Sequence, residues 1–380
     1  MPYFPRLSTR PFELMSYDKL DASTKDSITL VVTLTRSMRA AAFGPPMAAL
    51  LDACAGRRVV VGFDPQPKAE TSAQEAALNR RRKWERDRRS MAEFREPSEG
   101  QLAHHATMRE ETAAFNAELA RLMDPVDGGS RWVNLAYGFP NVVPVVQAGT
   151  PGSIVAQISL ANRVARPLAF LCHADSVPEL EAARLGISTL ADPAGSILLL
   201  DARHDRGMTE ASVARQAAAL KYLRDVLGEA FETIEKVSLA GSFPASSLRE
   251  MPRTLEIEER AVFGAVSGSW DIAYGDHASI QPRTLRPGGS GWFPHVDLPS
   301  DRTWRIELSD RKSDRAGYVE CATATQGAAE WADRAECWGT GIIERVADGG
   351  LDIDDVKFTT PGPWVGVRAN QHMTRQGRLA

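Results

Sequence analysis

Ser196-Ile-Leu-Leu-Leu-Asp201, Lys236-Val-Ser-Leu-Ala240 and Asp271-Ile-Ala-Tyr274 decide the fold of this chain. Each is a short, nearly continuous apolar run, the pattern of a strand covered on both faces in a parallel sheet. An amphipathic helix follows the first. In it Val213, Ala217, Leu220, Leu223 and Leu227 recur at three or four residues, with Arg215, Lys221, Arg224 and Asp225 between them and a stop at Gly228. The second run ends in the corner Gly241-Ser242-Phe243-Pro244, the third in Gly275-Asp276-His277. Polar residues gather just after each run, on the face where a β/α protein places its site.

Moving outward, the same unit recurs toward the N-terminus. Tyr3–Leu7, Ile28–Leu34, Arg58–Phe63, Asn141–Val146 and Pro167–Cys172 read as five further strands, with helices from Pro11 toward Leu20, from Pro45 to near Gly56, after a cap at Ser153, and over Pro178–Leu185. Eight strands with helix-compatible intervals in about 280 residues predict an α/β fold, a (β/α)8 barrel of the triosephosphate-isomerase type. A doubly wound open sheet competes, but the first βα turn carries no GxGxxG or Walker A pattern in its favour.

The rhythm breaks in the stretch 70–125. Gln74–Phe94 is helical in composition and basic, with Arg80, Arg81, Arg82, Lys83, Arg86, Arg88 and Arg89 against Glu85 and Asp87. Thr107–Met123 is a second helical piece bearing Glu110, Glu111 and Glu118. This predicts an α-helical hairpin inserted after strand three, its arms opposite in charge. The bland reading is a solvated, self-neutralising hairpin. The sharper one is nucleic-acid backbone binding through the patch Arg80 to Lys83.

The barrel with its insertion is assigned to 1–285. Beyond the link Gly288–Gly291, residues 286–380 form a C-terminal elaboration packed on the barrel. It has strands at Thr303–Leu308 and Pro363–Val367 and a helical stretch at Ala328–Trp338.

Bulk properties narrow the function. At 43% hydrophobic and 25% charged residues the 380-residue chain is neither disordered nor fibrous, and a net charge of −4 gives no global pull toward nucleic acid or anionic lipid. Cys54, Cys172, Cys321 and Cys337 form no CxxC pair, so reduced, mostly buried thiols are expected. With no signal-peptide layout, and no apolar run near the ~18 residues of a spanning helix, a cytoplasmic protein without a membrane segment is expected.

The residues that follow the apolar runs are Arg10, Glu13, Arg36, Asp64, Gln147, His173, Asp175, Asp201, Arg203, His204, Ser242, Asp276 and His277. On a closed barrel they converge on one mouth. Carboxylates with histidines can hold a divalent metal and activate water, and arginines beside them suit phosphate. Strand ends are polar in general, so the pattern assigns no particular metal or cofactor. Neither GxSxG nor HExxH occurs, and Ser242 has no base fixed beside it by sequence.

Tyr3-x-Pro-Arg-Leu7 with Arg10-x-x-Glu13-Leu14, Leu239-Ala-Gly-Ser-Phe-Pro244, Tyr274-Gly-Asp276-His277-Ala-Ser279 and Asn370-Gln-His372-Met-Thr374 together resemble the Beta protein family of prophages and bacterial genomic islands. The resemblance runs in order from near the first residue to near the last. It departs at His277, where tyrosine is commoner, and at the basic insertion. It implies an antitoxin-like or immunity role in phage–bacterium conflict, with a companion protein encoded nearby, a toxin or defence effector, as partner. The motif residues it points to are Arg10, Glu13, Ser242, Asp276, Asn370 and His372, the last two, close to the C-terminus, expected to fold back over the barrel mouth.

Two classes of function follow. One is a binding protein that recognises the companion. The other is a barrel enzyme of phosphoester or nucleotide chemistry, with Asp201, His204, Asp276, His277 and His372 as candidate catalytic residues. Arg10, Glu13, Arg36, Ser242 and Asn370 are the candidate binding residues.

Overall fold

A computed structural model describes residues 2–35, 44–67, 81–82, 98–124, 126–204, 206–244, 248–280 and 292–380. Arg36, Arg80, Lys83, the link at 288–291 and nearly all of the basic arm lie outside them, as does the His204 side chain.

The eight expected strands are present as β1 (Phe4–Ser8), β2 (Leu30–Leu34), β3 (Val59–Phe63), β4 (Val142–Pro144), β5 (Ala169–His173), β6 (Ile197–His204), β7 (Glu235–Gly241) and, after a short β8 (Thr254–Glu256) outside the sheet, β9 (Ala273–Asp276). They pair in parallel in the order β4-β3-β2-β1-β9-β7-β6-β5. A parallel bridge between Val145 and Ala169, with Val146 N–H donating to the Ala169 carbonyl at 2.8 Å, joins the two ends. The sheet is therefore a nearly closed (β/α)8 barrel.

Alternation along the strands sorts the side chains into two layers. Phe4, Val31, Val60, Val143, Ala169, Ile197, Leu199, Val237, Leu239 and Ala273 pack on one another inside the barrel. Tyr3, Val32, Val61, Phe170, Leu200 and Tyr274 face outward into a second apolar layer shared with the helices. These helices, in chain order, are α1 (Pro11–Asp18), α2 (Ala22–Asp26), α3 (Gly44–Cys54), α4 (Glu99–Leu122), α5 (Ser130–Tyr137), α6 (Pro151–Val164), α7 (Val177–Thr189), α8 (Thr209–Leu227), α9 (Glu229–Thr233) and α10 (Glu258–Ser267). The cap of α6 is Thr150, whose side chain accepts from Ser153 N–H, so Ser153 is inside the helix it was expected to cap. Of the inserted hairpin, the second arm is α4, two turns longer than its expected start at Thr107, and Arg81 and Arg82 are exposed.

The C-terminal part begins with β10 (His295–Pro299) and β11 (Thr303–Leu308), which form an antiparallel sheet with β8 in the order β10-β11-β8. Then come α11 (Ala316–Gln326), a 3-10 turn at Ala329–Asp333, α12 (Trp338–Ala347) and α13 (Pro361–Arg378). The helical reading of Ala328–Trp338 gives way to that 3-10 turn, with Trp338 starting the next helix.

The expected strand at Pro363–Val367 is instead the beginning of α13. Prolines at 361 and 363 suit a helix's first turn, where the missing N–H groups would have no partner, and Trp364 and Val367 bury one helical face. Ala369 and Met373 of this helix join the outer layer with Tyr3, Tyr17 and Tyr274. A Cβ at Gly366 would stand 2.7 Å from the Phe12 carbonyl, so α1 and α13 touch backbone to backbone. The last helix of the chain thus fills the place in the helical ring that follows the eighth barrel strand. No helix among the described residues is long and apolar enough to cross a membrane.

Candidate functional site

The candidate residues do not converge on one mouth; the strand alternation divides them between two faces. Asp201 follows Leu199 by two and points inside, as do Arg6 after Phe4 and His173 after Leu171. Asp276 follows Tyr274 by two and points outward beneath α13. Its neighbour His277 returns to the inside.

At the mouth, Asp201 is 2% exposed. Its Oδ2 accepts from Arg6 Nη1 at 2.7 Å and its Oδ1 from Arg203 N–H at 2.7 Å, with His277 Nε2 at 3.3 Å from Oδ1. Burial would raise this carboxyl; the His277, Arg6 and His173 side chains outweigh it and hold the group well below the usual carboxylate range. His173 lies opposite. Its Nδ1 stands 2.9 Å and 3.1 Å from the Glu179 oxygens, and its own backbone N–H donates to the same carboxylate at 2.7 Å. Glu179 sits in the first turn of α7, where the helix dipole favours an anion. This fixes the imidazole with Nε2 facing Asp201, 4.0 Å away, and leaves the side chain about a third exposed.

The rim carries further guanidinium groups. Arg203 donates Nε to Asp175 at 3.0 Å and adopts φ 71°, a left-handed backbone that costs a non-glycine residue energy and is found preferentially at functional sites. Arg10 donates to Glu13 at 3.0 Å, and Glu13 also accepts from Ser8 N–H and Oγ, each at 2.7 Å. Glu13 is the third residue of α1 and reaches back across its start to the Ser8 N–H and hydroxyl at the end of β1. The Arg10-x-x-Glu13 motif is therefore explained by the turn it ties. Asp64 and Gln147 likewise serve turns, accepting from Gln66 N–H and bonding Gln157.

The second cluster lies outside the barrel wall. Asp276 Oδ1 accepts from Tyr3 Oη at 2.5 Å and Ala278 N–H at 2.7 Å; Oδ2 accepts from Tyr274 Oη at 2.6 Å and faces His372 Nε2 at 2.7 Å. Burial would raise Asp276, but His372 and the tyrosine hydroxyls bring it down to about 2. Burial and the Asp276 charge push Glu259 up to about 8. Ser242 Oγ bonds Glu259 and accepts from Glu258 N–H at 3.0 Å, which caps α10. Asn370 donates to the Ser16 carbonyl and accepts from Gly339 N–H, each at 2.9 Å, which ties α13 to α1 and to α12.

Glu259, Asp276 and His372 bring one ligand-type atom each within 4.8 Å of one another, and all are buried. Two carboxylates and an imidazole have the composition of a divalent-cation site. Their chemistry fits a hydrogen-bonded lock better. All four lone-pair positions of Asp276 are met by donors, and a carboxyl titrating near 8 is protonated at neutral pH.

All four cysteines are free thiols, three of them buried. Two residues that hold the mouth together, Arg6 and Glu179, are not among those that follow the apolar runs. Arg6 alternates with Phe4 on β1, and Glu179 lies six residues after His173 in the first turn of a helix; both spacings are visible in the sequence.

Fold and geometry define a (β/α)8 barrel with a polar mouth that carries His173 and His277 and a ring closed by its own C-terminal helix. The Beta protein family matches residues 3–378, and the chain belongs to that family. It is 25% identical over 268 residues to the protein named Protein beta of Enterobacteria phage P4, covering 68% of this chain and 72% of that one.

Proposed function

We propose that this protein acts in the cytoplasm, in phage–bacterium conflict, as an enzyme of phosphoester or nucleotide chemistry centred on the barrel mouth. The observation that carries the reading is the Glu179–His173 pair aimed at Asp201. A carboxylate that fixes Nδ1 leaves Nε2, 4.0 Å from Asp201 and on a side chain about a third exposed, as a general base or acid toward a group that enters beside the pair. Arg6 and Arg10 each spend one donor on a carboxylate and retain others for phosphate oxygens. Asp201 is the support that orients Arg6 and His277.

The test is a panel of nucleoside mono-, di- and triphosphates and a chromogenic phosphodiester, with and without Mg²⁺ or Mn²⁺. Turnover of at least one should fall by about 10²–10⁴ in His173→Gln. Absence of turnover throughout, with His173→Gln as protective in phage-challenged cells as the wild type, would sink the reading.

One observation favours a second reading, an antitoxin-like immunity protein that binds a companion encoded nearby. Helix α4 runs 24 residues with most of its described surface exposed, including Met108, and Val126 beyond it is 90% exposed. That is the surface on which a partner protein would dock. Stoichiometric copurification with the neighbouring gene product, lost when Met108 and Val126 become aspartate, supports it; neutralisation without association counts against it.

A further inference from the structure

The turn at 276–280 carries His277 into the barrel while being held from outside. It contains no glycine, yet Ala278 has φ 49° and Ser279 φ 58°. Two consecutive left-handed residues with a Cβ persist only where surrounding contacts impose them. The contacts are on the page. Asp276 Oδ1 accepts from Ala278 N–H, Trp304 Nε1 donates to Ser279 Oγ at 2.9 Å, and Arg368 Nε donates to the Ser279 carbonyl at 3.0 Å. Arg368 is fixed in turn by Asp297 at 2.5 Å and lies over the Phe243 ring at 3.5 Å. His372 holds the other oxygen of Asp276. Trp304 lies on β11, and Arg368 and His372 on α13, so the C-terminal part supplies three of the side chains that clamp the turn, beside the barrel's own Tyr3 and Tyr274 hydroxyls on Asp276 and the Ala240 carbonyl on His277 N–H.

Across the wall, His277 is the only residue of this turn whose side chain meets the mouth acid Asp201. Asp276 and His277 are adjacent in sequence and point to opposite sides, so a displacement of one is carried to the other by a single peptide unit.

The geometry points to His372, Trp304 and Arg368 as positioning residues: docking of the C-terminal helix, through Asp276 and the strained turn, sets where His277 stands beside Asp201. That gives the C-terminal part a role in the site beyond closing the ring. The functional significance of the coupling rests on the mouth being the working site, but the coupling itself is measured without substrate or turnover, so the two can fail separately.

The measurement is the side-chain ¹H–¹⁵N spectrum of histidine-labelled protein, with His277 assigned by its absence from His277→Gln. In His372→Phe the donor to Asp276 is lost and the His277 signal should move; in His372→Gln, which can still donate, it should return toward its wild-type position. A merely structural His372 would lower the thermal midpoint and leave the His277 signal of the folded protein in place, which overturns the proposal. Trp304→Phe removes one N–H from Ser279 and keeps the ring packing, so it serves if His372→Phe does not fold. An unmoved His277 there is equally fatal.

Discussion

Gly275 and Asp276 show how one dipeptide serves both faces of a strand. A Cβ at Gly275 would meet Leu239 Cδ2 at 2.6 Å, Val237 Cγ1 at 2.9 Å and the Phe4 carbonyl at 2.9 Å, so the barrel interior has no space for one. Asp276 faces the other way and collects four donors beneath α13. Gly275→Ala should therefore destabilise by about 1–3 kcal/mol through overpacking, read as a lower denaturation midpoint in urea. An unchanged midpoint would mean that the interior relaxes freely. His372 stacks against Trp304 at 6.3 Å, and among the described residues nothing bonds its buried Nδ1, so Nε2 beside Asp276 is the ring's one polar contact there.

The residue-level legibility of the site was uneven for a physical reason. Asp201 and His277 could be placed at the mouth because they end apolar runs. Asp276 ends a run equally, but which side it takes depends on the parity of its strand relative to the barrel axis. Only Tyr274, an outward neighbour two residues before it, reveals that parity. Asn370 and His372, expected over the barrel mouth, instead lie outside the wall against Asp276, Ser16 and Gly339, since nothing local in a helix says which strand it will cover.

At the scale of elements, α10 and α13 meet through groups whose charge depends on pH. Glu259 on α10 titrates at about 8 when folded, against 4.5 for an ordinary glutamate. A raised carboxyl contributes stability that is complete below the ordinary value and is lost as pH climbs toward the folded one. Asp276, lowered to about 2, contributes in the opposite sense: its share is present above 3.8 and lost only in strong acid. Between pH 5 and 8 the Glu259 effect alone changes, with a limiting slope of about 1.4 kcal/mol per pH unit. Glu259→Gln, which mimics the protonated acid, should lose less stability than wild type across that window in paired denaturant titrations. Parallel pH profiles would show that Glu259 is ionised in the folded protein.

The strands were legible because a parallel sheet buried on both faces demands unbroken apolar runs, which need no tertiary knowledge to read. The C-terminal elements were harder. Thr303–Leu308 alternates and was found, whereas its partners Thr254–Glu256 and His295–Pro299 are too short and too polar to stand out. Trp364-Val-Gly-Val367 imitates a strand by composition, and only its position behind prolines 361 and 363 betrays a helix start.

On the scale of the whole molecule, Tyr3 beside β1 and the last helix α13 are drawn together through Asp276, and α13 packs on α1. Tyr3 and His372 grip the same carboxylate across a separation of nearly the entire sequence. The sheet closes between β4 and β5, whereas the ring of helices is completed by the last helix, and the region from β10 to α12 is held between the eighth strand and that helix. This architecture puts a buried polar lock outside the wall and, inside it, a partly exposed His173 beside the buried Asp201 and His277. Under the proposed function the inner group, Arg6, His173, Asp201 and His277, is the working site.

The seven histidines sample the molecule widely enough to test this in one experiment: His104 and His105 in the insertion, His173 and His277 in the mouth, His204 at the end of β6, His295 and His372 in the C-terminal part. Their side-chain ¹H–¹⁵N signals, followed while inorganic phosphate or a nucleoside monophosphate is added at low salt, report where such a ligand goes. Saturable movement of His173 and His277, with His295 and His372 unmoved and the effect lost in Arg6→Gln, is the result expected. Mouth signals that stay fixed at millimolar ligand, or movement confined to the insertion, would contradict it and leave the barrel as a scaffold for a protein partner.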